Sequence, residues 1–203
     1  MTGTLHRTLL AMCVAATAAA CASSPPTRFV TLDAAPGPPR AARASGLPVA
    51  LGKVTLPPEL DRAHPVRREG HSSLDIPMGV RWAAPLDELV HRTLALDLAS
   101  RLPKGEAVLP GQAEPSGPMR LVVVTFRTFS ADSAGTVTLD AHWSSVEQPS
   151  GRIEISRDAT VTVPAHSMSW DDVAGAMSEA LARLADRIAS SLPEGQAPAG
   201  SYR

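Results

Sequence analysis

The residue in this 203-residue chain with the most definite chemistry is Cys21, which directly follows Ala18, Ala19 and Ala20. A thiol behind three small side chains is a substrate for diacylglyceryl transfer. Cleavage before the modified cysteine then leaves a thioether-linked lipid at a new N-terminus. The residues ahead of it have the order of an export signal: a short polar start with Arg7, an apolar run from Leu9 to Ala20, then the small residues. That run is too short for a spanning helix. Residues 1–20 therefore read as a lipoprotein signal peptide. Ordinary secretion with cleavage after Ala20 is the competing reading. Cys13 is a poor rival because Met12 before it is bulky. With only two cysteines in the chain, the mature form would carry no free thiol and no disulfide, which suits an oxidising compartment.

Other reactive side chains form no recognisable constellation. His6, His64, His71, His91, His142 and His166 are scattered, and no pair has the helical spacing of a zinc site. Neither a G-x-S-x-G elbow, a P-loop nor a G-x-G-x-x-G is present. The pair Asp171-Asp172 is explained by the start of a helix, and His142 falls on the polar side of an alternating strand. The chain therefore reads as a non-enzyme with no metal and no cofactor. A hydrolase would need a concave pocket joining a Ser or carboxylate to His64, His91 or His142. A formal charge of -1 gives no basic face for nucleic acid.

The elements that carry these residues follow from periodicity. Hydrophobic residues are 44% of the chain and aromatics only 3%, so aliphatic side chains and Ala must build the core. Residues 21–27 form a lipid-anchored tether. One domain over residues 28–192 follows, interrupted by a Pro/Ala-rich loop at 34–46, and residues 193–203 read as a disordered tail. Strands are expected at Arg28–Asp33 and at Leu47–Leu56, the latter with a bulge near Gly52, and a short one at His64–Arg68. Leu74–Trp82 reads as extended or irregular. Leu86, Val90, Leu94, Leu98 and Leu102 form an i+4 ladder behind Pro85, predicting a first helix with Arg101 in its last turn. Met119–Phe129 is apolar on both faces, as in a central strand. Thr136–Val146 and Arg152–Val163 alternate cleanly, and turn residues between them predict an antiparallel meander. A second helix runs from about Trp170 to Leu192, capped by Ser169, with Val173, Met177, Leu181, Leu184 and Ile188 on one stripe. The expected fold class is α+β: an antiparallel sheet of about five strands with two helices packed on one face.

One segment has a more particular look. From Leu56 the chain reads L-P-x-x-L-D-R, a short V-x-R strand, then R-W-A-x-P-L opening a helix that ends in L-P. These elements, the C-A-S-S and F-V-T-L-D segments and the Ala/Leu-rich last helix resemble the ABC-type transport auxiliary lipoprotein family, typified by paraquat-inducible protein C. His71-Ser72-Ser73 departs from the family pattern, which carries an Asn or Tyr nearby. The resemblance implies an outer-membrane lipoprotein subunit of a lipid transport system. Its expected partners are a periplasmic mammalian-cell-entry (MCE) domain protein and an ABC transporter permease/ATPase complex, and a homo-oligomer fits that role. Ala22, rather than Asp, behind Cys21 agrees with the periplasmic side of the outer membrane. Arg81 and Trp82 of the R-W-A motif are of the types that dominate binding hot spots, so they are candidate partner contacts; Trp82 as a core plug is the alternative. A stand-alone structural envelope lipoprotein is the second functional reading.

Overall fold

A computed structural model describes residues 26–38, 46–70 and 72–193. The signal peptide, Cys21, most of the tether, most of the Pro/Ala-rich loop, His71 and all but the first residue of the expected tail lie outside the described residues.

The strands are β1 (Arg28–Val30), β2 (Val49–Thr55), β3 (Arg67–Glu69), β4 (Ser73–Asp75), β5 (Val80–Trp82), β6 (Ala107–Val108), β7 (Met119–Asp132), β8 (Thr136–Gln148) and β9 (Arg152–Pro164). Helix α1 (Leu86–Arg101) lies between β5 and β6, and α2 (Trp170–Ser191) follows β9. Strands β7, β8 and β9 form the expected antiparallel meander, with Phe126 opposite Ala141 and Ala141 opposite Ala159. Valine, aromatic and threonine residues suit such pleated, half-buried positions.

The α+β class holds, but the sheet is not a five-stranded antiparallel one. It is a mixed sheet of seven strands. On its other edge β7 pairs in parallel with β2, from Val49 opposite Arg120 to Thr55 opposite Thr125, and then with β3 at Ala131 and Asp132. The two-residue β6 pairs in parallel with β2, closing a β2–α1–β6 crossover. β3 and β4 form an antiparallel hairpin. The parallel pairings follow from α1, which carries the chain back across one face before the next strand begins. β1 stands outside this sheet and pairs in parallel with β5, placing Phe29 beside Arg81. The register between β2 and β7 shifts between Leu51 and Val54, so the bulge expected near Gly52 is present. A Cβ at Gly52 would lie 2.8 Å from Leu121 Cγ, a distance only glycine avoids.

Both helices cover one face of the sheet. Val122, Val124 and Phe126 of β7, Leu139 and Trp143 of β8, and Val161 of β9 meet Leu94 and Leu98 of α1 and Leu181, Leu184 and Ile188 of α2 in one buried cluster. Each such aliphatic side chain contributes about 1.5–3 kcal/mol by leaving water. Ser169 Oγ accepts the Asp172 amide at 3.2 Å, as the cap reading requires. The opposite sheet face is polar, carrying Thr125, Arg127, Asp140, His142 and Asp158.

Candidate functional site

Of the two candidate contact residues, the fold separates one from the other. β5 is extended, so successive side chains point to opposite sides. Trp82 points inward and is 6% exposed, part of the main core. Its backbone amide donates to the Ala63 carbonyl at 2.8 Å. Burial makes Trp82 the core plug between β5 and the start of α1. Arg81 points outward and is exposed. Cys21 lies outside the described residues, seven chain steps before Arg28.

Arg101 is not a solvated helix-end cation. It is 4% exposed and sits at the junction of α1, α2 and the segment after β1. Its Nε donates to Asp186 at 2.6 Å, and its Nη1 reaches the carbonyls of Asp97 (2.8 Å) and Ala35 (3.2 Å). Asp97 is fully buried beside it, and its Oδ1 accepts the Ala35 amide at 2.8 Å. The other carboxylate oxygen, Oδ2, has no hydrogen-bond partner among the described residues. Burial pushes the Asp97 carboxyl up to about 6, against the opposing pull of the Ala35 amide and Arg101. This cluster clamps the first segment of the domain onto the helix pair. Arg101 and Asp97 share a helical face at i and i+4, but only the tertiary fold brings Ala35 and Asp186 to them.

Two open grooves flank the helices. One, of about 580 Å³, lies between the β2 bulge and the first turns of α1 and is lined by Lys53, Asp87, Glu88, His91 and Arg92. His91 Nε2 lies 3.1 Å from the Gly52 carbonyl and 3.2 Å from that of Leu51, so it donates into the bulge as a structural bracket. The other, of about 540 Å³, lies between β1 and α2, with Phe29, Ala174 and Gly175 as apolar lining and Asp33, Asp171 and Glu179 at its edge. Both are bordered by several charged side chains, which does not suit a buried acyl chain.

One arrangement has the form of a catalytic triad. Ser156 Oγ is 3.1 Å from His142 Nε2, and His142 Nδ1 is 3.3 Å from Asp158 Oδ1. The three sit on neighbouring strands of the open, flat sheet face. Asp158 also accepts Arg127 Nη1 at 2.7 Å, and that hydrogen bond holds its carboxyl below the usual range. Asp140 is held low by the same guanidinium. Neither groove is lined by Ser156 or His142. Acyl transfer requires donors aimed at a developing oxyanion and a site closed to water. Ser156 lies within an extended strand, where successive amides point to opposite sides rather than converging on one spot. Among the described residues no cluster of three or more His, Cys, Asp or Glu could hold a metal ion. No helix among them is long and apolar enough to cross a membrane.

A helix-backed mixed sheet, with β1 paired to β5 outside it, defines an α+β domain. Residues 31–189 match the family of ABC-type transport auxiliary lipoprotein components, and the chain belongs to that family. Among solved structures, an uncharacterized protein is 20% identical, covering 83% of this chain and 100% of that one, with a TM-score of 0.68. Protein XCC0632 from Xanthomonas campestris is 16% identical, covering 80% of this chain and 93% of that one, with a TM-score of 0.66. At these identities the likeness is one of fold. A comparison with curated proteins finds no match.

Proposed function

We propose that this chain is an outer-membrane lipoprotein subunit of an MCE-type ABC lipid transport system, anchored through acylated Cys21 and docked on the periplasmic MCE-domain partner. The observation that carries this reading is the family match over residues 31–189, joined to a cysteine placed behind three alanines upstream of it. Its role is to dock rather than to catalyse. The Ser156–His142–Asp158 chain lies on a flat wet face, where neither oxyanion stabilisation nor exclusion of water supports hydrolysis. Nor does the subunit carry lipid alone: its core is filled by side chains and its grooves are edged by charge. A passage for lipid would have to be formed between subunits or with a partner. Arg81, exposed on β5, is the contact residue retained from the R-W-A motif.

Affinity purification of the tagged lipoprotein from detergent-solubilised envelopes is the test. Recovery of an MCE-domain protein or an ABC permease is expected, together with detergent sensitivity of cells lacking the protein. Recovery of neither, from a preparation in which the lipoprotein itself is intact, would reject the assignment and favour a stand-alone structural lipoprotein.

A further inference from the structure

We propose that the end of the domain where β1 begins is a membrane-facing lip, its exposed apolar side chains seated in the headgroup layer of the bilayer that holds the anchor. This rests on acylation of Cys21, and adds to it a second, protein-borne contact with the lipid surface.

Four large apolar side chains are exposed there: Phe29 (63%), Ile76 (40%), Met78 (97%) and Met168 (41%). They come from three segments that the fold ties together at one place. The Arg28 amide donates to the Gly79 carbonyl at 2.8 Å, setting Met78 beside the first residue of β1. The Arg28 guanidinium pairs with Asp171 at the head of α2, which follows Met168 by three residues. Arg67 holds the other two segments. It donates to the Met168 carbonyl at 2.9 Å, lies 3.9 Å from Asp75 next to Ile76, and stacks over the Trp170 ring at 4.6 Å. Single exposed apolar residues need no explanation, but four gathered around one end do.

The occupant follows from the chain itself. Cys21 precedes Arg28 by seven steps, so the lipid attachment point lies within about 25 Å of this end even when the intervening chain is fully extended. A surface held that close meets the bilayer constantly, and its apolar side chains can enter the headgroup and acyl boundary, the layer in which the apolar faces of interfacial helices lie at a depth of roughly 5–10 Å. Phe and Met suit that depth because they are apolar without being charged or rigidly branched. The opposite end supplies an internal control. Ile153 is 64% exposed at the start of β9, whose other end, Pro164, leads into α2. Eleven strand residues place it roughly 35 Å from the lip.

The test uses the full lipidated protein. Mature chains carrying Met78→Cys or Ile153→Cys have a single free thiol, since Cys21 is capped, and can be labelled with a nitrobenzoxadiazole fluorophore. They are reconstituted into phosphatidylethanolamine–phosphatidylglycerol vesicles containing a lipid with a shallow nitroxide quencher, and floated. Quenching several-fold stronger at position 78 than at position 153 is expected. Equal, weak quenching at both positions in floated protein overturns the lip while leaving the anchor intact. The lip is likewise overturned if position 78 stays unquenched by lipid and is shielded only when a partner protein is added. Protein that fails to float, with an intact mass lacking acyl chains, overturns the anchor and the lip together. Adding Phe29→Ser should lower quenching at position 78 without changing flotation.

Discussion

Asp97 gives the sharpest link between this structure and a solution measurement. Its carboxyl is fully buried between α1 and the segment after β1, with one oxygen bonded to the Ala35 amide and the other unpartnered among the described residues. Its pKa of about 6 stands above the ordinary 3.8, with burial as the main cause. The folded state therefore binds a proton more tightly than the unfolded chain does. The stability this gives is fully present below about pH 3.8 and is lost as pH rises to about 6. The difference between those two values corresponds to about 3 kcal/mol at most. Asp97→Asn keeps an oxygen for the Ala35 amide and removes the titration. Urea unfolding of both proteins, measured in steps from pH 4 to pH 8, isolates the effect, because histidines and surface carboxylates contribute equally to each. Relative to the variant, the wild type should lose up to about 3 kcal/mol, nearly all of it between pH 4 and pH 6, and then level off. The depressed carboxyls Asp140, Asp158, Glu147 and Asp172 act in the opposite sense and at lower pH, since their stabilisation is lost only as pH falls below the usual carboxylate range. A difference that is flat over this window, or that grows with pH, would refute the reasoning. Growth with pH would mean that attraction to Arg101, not burial, governs Asp97.

Further outcomes are expected elsewhere in the molecule. Gly52→Ala should destabilise the domain by about 1–3 kcal/mol in chemical denaturation, because the added Cβ meets Leu121 Cγ at 2.8 Å in the β2 bulge. Trp82→Ala should cost about 3–5 kcal/mol by leaving a cavity in the core. Arg81→Glu should leave the melting temperature within a degree or two and yet reduce recovery of the transport partner, separating contact from packing. Cys21→Ala should abolish incorporation of radioactive palmitate and release the chain from the membrane fraction.

The pattern of apolar residues made α1, α2 and the β7–β8–β9 meander legible, because each of these is long enough for its period to stand out. The shift of phase at Gly52 likewise announced the bulge. The shortest elements were less legible. A strand was expected at Arg28–Asp33 and β1 lies within it, but β6 has two residues, and β4 and β5 have three each, too few for any alternation to show. Their existence depends on partners supplied by the rest of the fold, such as the Gly79 carbonyl for the Arg28 amide. The motif R-W-A-x-P-L drew attention to Arg81 and Trp82 together, but the two are neighbours on a strand and must face opposite ways. Sequence could not say which one faced the core.

The reading of residues 1–20 as an export signal ahead of Cys21 rests on the linear sequence alone, since a processing enzyme reads such a signal in an extended chain. It determined the α+β class as well, because the two periodicities are local properties. Tertiary structure decided the rest. A parallel or an antiparallel partner for β2 is a choice between strands far apart in sequence, made by where α1 leaves the chain. Burial of the Asp97–Arg101 pair, and the gathering of Phe29, Ile76, Met78 and Met168 at one end, are likewise facts of long-range packing. No window of sequence holds those neighbours together; only the closed fold does.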